Sequence, residues 1–296
     1  MQQTGENGVP RPFLKWAGGK TQLLSQFEAL YPHPRSIRRY IEPFVGSGAV
    51  FFKLRRLACP REVFLADNNE ELINVYVAVR GQVEEVIEAL RRHKALHSME
   101  HYYLVRARNP GRMSSTARAA RLIYLNKTCF NGLYRVNSKG GFNVPMGRYQ
   151  DPPILHAENL RAAGQALEKA GLKTAHFRKT LDVARKGDFI YFDPPYHPLS
   201  KTSFFTSYTE GAFTASDQKD LAEVYSILAR RGCRVMLSNS DCPFIRGLYE
   251  GFDIRSVSAR RNINSKAEKR GRIGEVVVLN YEPAGAQEPS EESARP

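Results

Sequence analysis

No stretch of this 296-residue chain stays apolar for the about 20 residues that a membrane-spanning helix needs, so no membrane partner is expected. The first ten residues, MQQTGENGVP, lack the apolar centre of a secretion signal, which points to the cytoplasm. Cysteine is scarce. The four present, Cys59, Cys129, Cys233 and Cys242, show no Cys-x-x-Cys spacing, which disfavours a zinc ribbon and a disulfide framework, and no metal site is expected. Negative charge is also in short supply: 30 acidic residues stand against 44 Lys and Arg, a net charge of +14. A deficit of that size suggests a polyanionic partner.

What the chain does have centres on DFIYFDPPYHPLS, Asp188 to Ser200. Phe189 to Phe192 form a continuous run of β-prone apolar residues, the pattern of a strand buried on both faces of a parallel sheet. The run stops at Asp193. Pro194 disfavours the α region at Asp193, and Pro195 does the same at Pro194, so the backbone leaves the strand extended and stiff. A carboxylate, a proline carbonyl and the Tyr196 ring are then presented at a strand's carboxyl end, where open α/β sheets bind ligands. An ordinary proline turn would use the same residues.

Two glycine-bearing segments precede it. FLKWAGGKTQLLSQF, Phe13 to Phe27, invites a phosphate-loop reading, but that pattern needs a glycine at position 14, which is Leu. The alternative is a glycine turn into a helix, with Trp16 and Lys20 either aimed at a small molecule or serving as core and solvated surface. RRYIEPFVGSGAVFFKLRR reads as strand (Tyr40 to Phe44), glycine loop (Gly46, Gly48) and helix from Ala49. VFLADNN then ends a second strand at Asp67, about 20 residues after the loop, where an acid suits a ribose hydroxyl pair. Together they suggest an adenosine-containing cofactor.

From Glu70 to about Arg161 the pattern is helical. His93, His97 and His101 fall four apart and are expected on one solvated helix face, with a phosphate contact as the functional option; the zincin pattern would need Glu where Lys94 stands. CFNGLYRVNSKGGFNVPMGRY, Cys129 to Tyr149, reads as a hairpin turning at Lys139 to Gly141. Its aromatics are either a packed side or part of a nucleic-acid surface, with Arg135 suited to a guanine edge and Lys139 to phosphate. Phe213 to Gly232 reads as a helix capped by Thr214 or Ser216, RVMLSNSD as a strand, and GEVVVLNY as the last strand. Arg255 to Arg272 holds seven basic residues against Glu268 and reads as a loop beside nucleic acid; the acidic end of the chain reads as disordered.

FLKWAGGK, EPFVGSGAVFF, ADN (Ala66 to Asn68) and DPPY, in that order, resemble the Dam-type, alpha-group (D12 class) DNA adenine N6-methyltransferases. The likeness extends through Cys129 to Tyr149 and Ser238 to Asp241, from Phe13 to Tyr281 overall. It implies a Rossmann-like α/β sheet that binds S-adenosyl-L-methionine, with a helical target-recognition insertion. Position by position, it implies Trp16, Lys20, Phe44, Gly46, Gly48, Asp67 and Asp193 at the cofactor, and Asp193, Pro194, Pro195 and Tyr196 at the target adenine. It implies Lys15, Asn131, Leu133, Arg135, Pro145 and Tyr149 at the recognition sequence, GATC by agreement with GATC-specific members. The expected division is 1–69 and 166–282 catalytic, 70–165 target-recognising and 283–296 tail. The last strand is antiparallel at the sheet edge in this family.

The chemistry fits those residue types. The lone pair of an adenine N6 is delocalised into the ring, and two acceptors that hold its hydrogens, Asp193 and the Pro194 carbonyl, make it a better nucleophile, while Tyr196 offers a stacking surface for an extruded base. The partner is then double-stranded DNA and the enzyme a monomer, with a restriction endonuclease acting on the same site left open. Cytosine N4 methylation shares the geometry but often has Ser at the position of Asp193; cytosine C5 methylation needs a Pro-Cys nucleophile that is absent. RNA substrates and a non-catalytic nucleic-acid-binding module remain the other readings.

Overall fold

The computed structural model describes residues 8–198, 213–259 and 273–286. Seven strands, β1 (Arg39–Glu42), β2 (Glu62–Asp67), β3 (Ala170–Thr174), β4 (Phe189–Phe192), β5 (Arg234–Ser240), β6 (Asp253–Ala259) and β7 (Ile273–Leu279), form one sheet in the order β3-β2-β1-β4-β5-β7-β6. β1 with β4, β2 with β3, and β4 with β5 pair in parallel, whereas β7 runs antiparallel to both β5 and β6. This is the expected α/β, Rossmann-like class.

The chain divides into two compact units. One comprises residues 1–19, 44–56 and 62–177; the other comprises 20–43, 57–61 and 178–296. In the second unit β4 is the core strand. All four of its residues are at most 1% exposed. Phe27 meets Tyr191 edge-on at 6.0 Å, and Tyr31, Tyr40 and Tyr281 surround Phe189 at 5.6–6.1 Å. Burying each such ring contributes roughly 1.5–3 kcal/mol, which is why this short strand is a firm base for the residues that follow it.

The first unit is mostly helical. Helices Glu70–Gly81, Val83–Ala95, Met99–Ala107, Ser115–Thr128 and Ala157–Leu167 follow one another along the chain. Four of the five starts are fixed by a side chain that accepts from the first turn: Asn69 from Leu72, Ser98 from His101, Ser114 from Ala117 and His156 from Asn159. Arg121, buried in helix Ser115–Thr128, donates to the carbonyls of Val105 and Arg106 and so satisfies the exposed end of helix Met99–Ala107.

Four expectations need correction. The three histidines do not share a helix face: the first of the two helices ends at Ala95 and Ser98 caps the next. Nor are they freely solvated: each is half-buried. His93 Nδ1 lies 3.0 Å from His101 Nε2, His97 Nδ1 lies 2.9 Å from the Tyr124 hydroxyl, and the His93 ring stacks on Tyr124 at 4.9 Å. Second, β7 is interior; the edge belongs to β6, which takes Arg255 to Ala259 out of the supposed loop. Residues 260–272 of that loop lie outside the described residues. Third, Cys129 to Tyr149 closes as a hairpin through isolated bridges at Cys129–Met146 and Val136–Phe142, without regular strands. Its turn is held by Asn137, whose N–H donates to the Gly141 carbonyl and whose carbonyl accepts from Gly140. Fourth, Ala284–Ala286 at the start of the supposed tail forms a 3-10 turn, with the Ala284 N–H on the Tyr31 carbonyl. The rest of the tail is outside the described residues.

Candidate active site

In the second unit, Asp193 follows β4 directly. Lys20, in the 3-10 turn Lys20–Gln22 and only 4% exposed, sets its Nζ 2.8 Å from Asp193 Oδ1. Ser238 on β5 donates its hydroxyl to the same oxygen at 2.8 Å. Burial raises the Asp193 pKa above the ordinary carboxylate range, and Lys20 and Ser238 pull the other way by stabilising the charged form.

The two prolines differ in how their carbonyls are used. Gln218, from helix Ala215–Arg230, donates to the Pro195 carbonyl at 2.9 Å, and Asn239 in turn donates to Gln218 Oε1 at 2.9 Å. Among the described residues none donates to the Pro194 carbonyl. Thr214 caps the helix that carries Gln218 in a reciprocal box with Asp217, as the sequence suggested. Tyr196 donates its hydroxyl to Glu275 Oε2 on β7 at 2.7 Å, and the Lys20 ammonium stands 4.6 Å from the centre of its ring. Burial, then the charges of Asp193 and Glu275, keep the Tyr196 hydroxyl protonated well above its usual pKa.

The first unit carries the glycine loop and Asp67. Val45 donates to the Ala66 carbonyl, and Gly46 donates to Asp67 Oδ2 at 3.2 Å while Asn69 donates to Oδ1 at 3.0 Å. Gly46 and Gly48 adopt φ of +48° and +69°, and a Cβ at either would collide: with the Trp16 ring at 3.0 Å for Gly46 and with the Tyr76 hydroxyl at 2.8 Å for Gly48. Glycine is therefore strongly favoured at both positions. Burial raises the Asp67 pKa against the lowering effect of the backbone N–H groups of Asn69, Gly46 and Asn68. Each carboxylate oxygen has two lone-pair sites, so both can still accept from a hydroxyl. Trp16 stacks on Tyr134 at 5.3 Å, and Phe44 stacks on Phe177 at 5.6 Å.

Also in the first unit, Lys15 is locked by Asn126, which accepts from its N–H at 2.8 Å and donates to its carbonyl at 2.7 Å and to the Gly132 carbonyl at 2.9 Å. The Lys15 ammonium lies 4.8 Å from the centre of the Tyr149 ring. Lys15, the Asn131–Gly132 turn and Tyr149 are thus brought together, with exposed Asn131 in the left-handed region at φ 55°. The Pro145 carbonyl accepts from Phe130 in the same hairpin, and Leu133 is exposed. Arg135 folds back within that hairpin, donating from Nε to the Asn143 side chain at 2.7 Å. Lys139 projects from the turn, exposed.

Sequence reasoning missed Ser238, Gln218 and Glu275 around the Asp-Pro-Pro-Tyr stretch, and Tyr134 against Trp16. The segment SNSD that holds Ser238 enters the sequence reading only as part of a strand and through the family resemblance. A polar strand flanked by apolar residues, with Ser238 and Asn239 fully buried, is the signal that would have singled it out.

The profile of D12 class N6 adenine-specific DNA methyltransferases matches residues 16–263. The chain is 45% identical to the Type II methyltransferase M.MjaIII of Methanocaldococcus jannaschii, over 92% of this chain and 99% of the relative. It is 36% identical to the DNA adenine methylase of Vibrio cholerae, over 91% and 95%, and 35% identical to that of Escherichia coli K12, over 92% and 96%. The family match and this likeness both run along nearly the whole sequence, and the chain belongs to the D12 class of N6 adenine-specific DNA methyltransferases.

Proposed function

We propose that this methyltransferase takes its methyl group from S-adenosyl-L-methionine and delivers it to the adenine of a GATC site in duplex DNA after the base has swung out of the helix. The observation that carries this reading is Asp193: a carboxylate at the end of a wholly buried strand, ion-paired to a buried lysine and followed by Pro194 and Tyr196. Asp193 and the Pro194 carbonyl accept the two N6 hydrogens, and Tyr196 supplies the face on which the base stacks. The donor's sulfonium supplies an electrophilic methyl. The methyl would pass to N6 with the neutral sulfide as leaving group, and Asp193 would take the surplus N6 proton along the hydrogen bond it accepts. Holding amine and methyl in line is worth up to roughly 7–11 kcal/mol of the barrier.

Asp67, Gly46 and Gly48 are assigned to the nucleoside part of the donor, with Trp16, Lys20, Phe44 and Asp193 lining the remainder. Residues 70–165 are assigned to target recognition: Lys15, Asn131, Leu133, Arg135, Pro145 and Tyr149 to the bases and Lys139 to phosphate. Residues 1–69 and 166–282 form the catalytic domain in this reading. The enzyme works as a cytoplasmic monomer, and the Type II name of the M. jannaschii relative favours a companion restriction endonuclease for the same site. Among the described residues no helix is long and apolar enough to cross a membrane. Long-read sequencing of DNA from cells expressing the protein is expected to show N6-methyladenine at GATC. Modification at another motif would overturn the site, and unmodified adenine would overturn the activity.

A further inference from the structure

The two oxygens of Asp193 are not equivalent. Oδ1 receives both Lys20 Nζ and Ser238 Oγ, each at 2.8 Å. Oδ2 has no donor among the described residues and is not sealed away from solvent; the side chain as a whole is 19% exposed. Ser238 itself is fully buried on β5. The register that sets Phe192 opposite Leu237 carries Asp193 level with Ser238, so the contact follows from the pairing of β4 with β5.

A serine hydroxyl has one hydrogen. Because Ser238 spends it on Asp193, the 2.8 Å contact between Ser238 Oγ and the Tyr191 hydroxyl must run from Tyr191 to Ser238. Tyr191 is buried in β4 two residues before Asp193, hence on the same face of the strand. Burial, with the nearby Asp193 charge second, keeps its phenol protonated and therefore a donor. The result is a directed chain, Tyr191 to Ser238 to Asp193 Oδ1, with Lys20 closing on the same oxygen.

We propose that Ser238 and Tyr191 are positioning residues for methyl transfer: with Lys20 they pin Oδ1, fix the plane of the carboxylate, and leave Oδ2 as the one oxygen that receives the adenine amine. This deepens the proposed function and rests on its assignment of Asp193. With the donor removed, the carboxylate turns more freely and the charged form loses a stabilising hydrogen bond.

The test is single-turnover methylation of a GATC duplex by full-length Ser238→Ala and Tyr191→Phe, followed across pH, beside calorimetric binding of S-adenosylmethionine. Ser238→Ala is expected to slow the step about 10- to 100-fold, the range for one hydrogen bond to a charged group. Cofactor affinity should stay near wild type. The acid limb of the rate should move to higher pH, because Ser238 favours the ionised carboxyl, and Tyr191→Phe should show the same shift at smaller amplitude. A merely structural serine would lower the rate without moving the limb, and that outcome overturns the proposal, as does a wild-type rate. Should Ser238→Ala fail to fold, Tyr191→Phe decides alone, on the position of its limb. Asp193→Ala separates the two layers: if it retains turnover, the assignment of Asp193 falls, whereas an inactive Asp193→Ala beside an unaltered Ser238→Ala removes the relay alone.

Discussion

Asp67 and Asp193 make an instructive pair, one in each unit, each at the carboxyl end of a parallel strand and each with a pKa lifted by burial. Their surroundings differ. Asp67 is held by backbone N–H groups on both oxygens, so its position is fixed by the main chain around it. Asp193 is held by side chains, Lys20 and Ser238, both on one oxygen. A carboxylate gripped at both oxygens by fixed dipoles suits a ligand that must be bound. One gripped at a single oxygen by a cation and a hydroxyl keeps an acceptor open for a group that must react.

That contrast can be broken by substitution. Asp67→Asn is expected to weaken S-adenosylmethionine binding roughly 10- to 100-fold by calorimetry, while the rate at saturating cofactor falls much less. Equal losses in both quantities would erase the distinction. Glu275→Ala, which frees the Tyr196 hydroxyl, should slow the single-turnover rate roughly 2- to 10-fold, with cofactor affinity unchanged. An effect confined to cofactor affinity would instead move Tyr196 to the other side of the comparison.

The smallest effect concerns acid. In the proposed mechanism an ionised Asp193 accepts the amine, so activity is expected to be lost as pH falls, and its raised pKa places that loss at higher pH than for an exposed aspartate. Loss of fold has a different source. Burial, followed by the charge of His101, lowers the His93 pKa from its ordinary 6.5 to about 4. A histidine held neutral in the fold contributes stability that is present above about 6.5 and is lost as pH falls toward about 4. Thermal melts should therefore drop across that window, and less steeply in His93→Gln, with the acid limb of the rate unmoved. Parallel slopes in both proteins would count against His93 as the source.

Much of this was legible in the chain. β4 and its Asp-Pro-Pro-Tyr exit could be read because four consecutive apolar residues leave little alternative to a strand buried on both faces. Gly46, Gly48 and Asp67 could be read because a tight loop and a strand-end acid recur at a fixed spacing. β6 could not: DIRSVSA has few apolar positions and runs into a basic stretch, so charge concealed a strand at the sheet edge. Ser238 and Glu275 were hidden by distance, acting on residues 45 and 79 positions away. The histidines misled because a spacing of four describes one helix face only while the helix continues, and here it ends at Ala95. Tyr134 lies in a segment whose aromatics read equally as a packed side or as a nucleic-acid surface, and only the fold sets its ring on Trp16.

The proposed chemistry depends on the carboxylate after β4, and the most direct measurement is single-turnover methylation of a GATC duplex by Asp193→Asn at saturating S-adenosylmethionine. Loss of the rate by ~1,000-fold or more, with cofactor and duplex affinities within a few-fold of wild type, is the predicted result. A rate within several-fold of wild type, at equal occupancy, would contradict it.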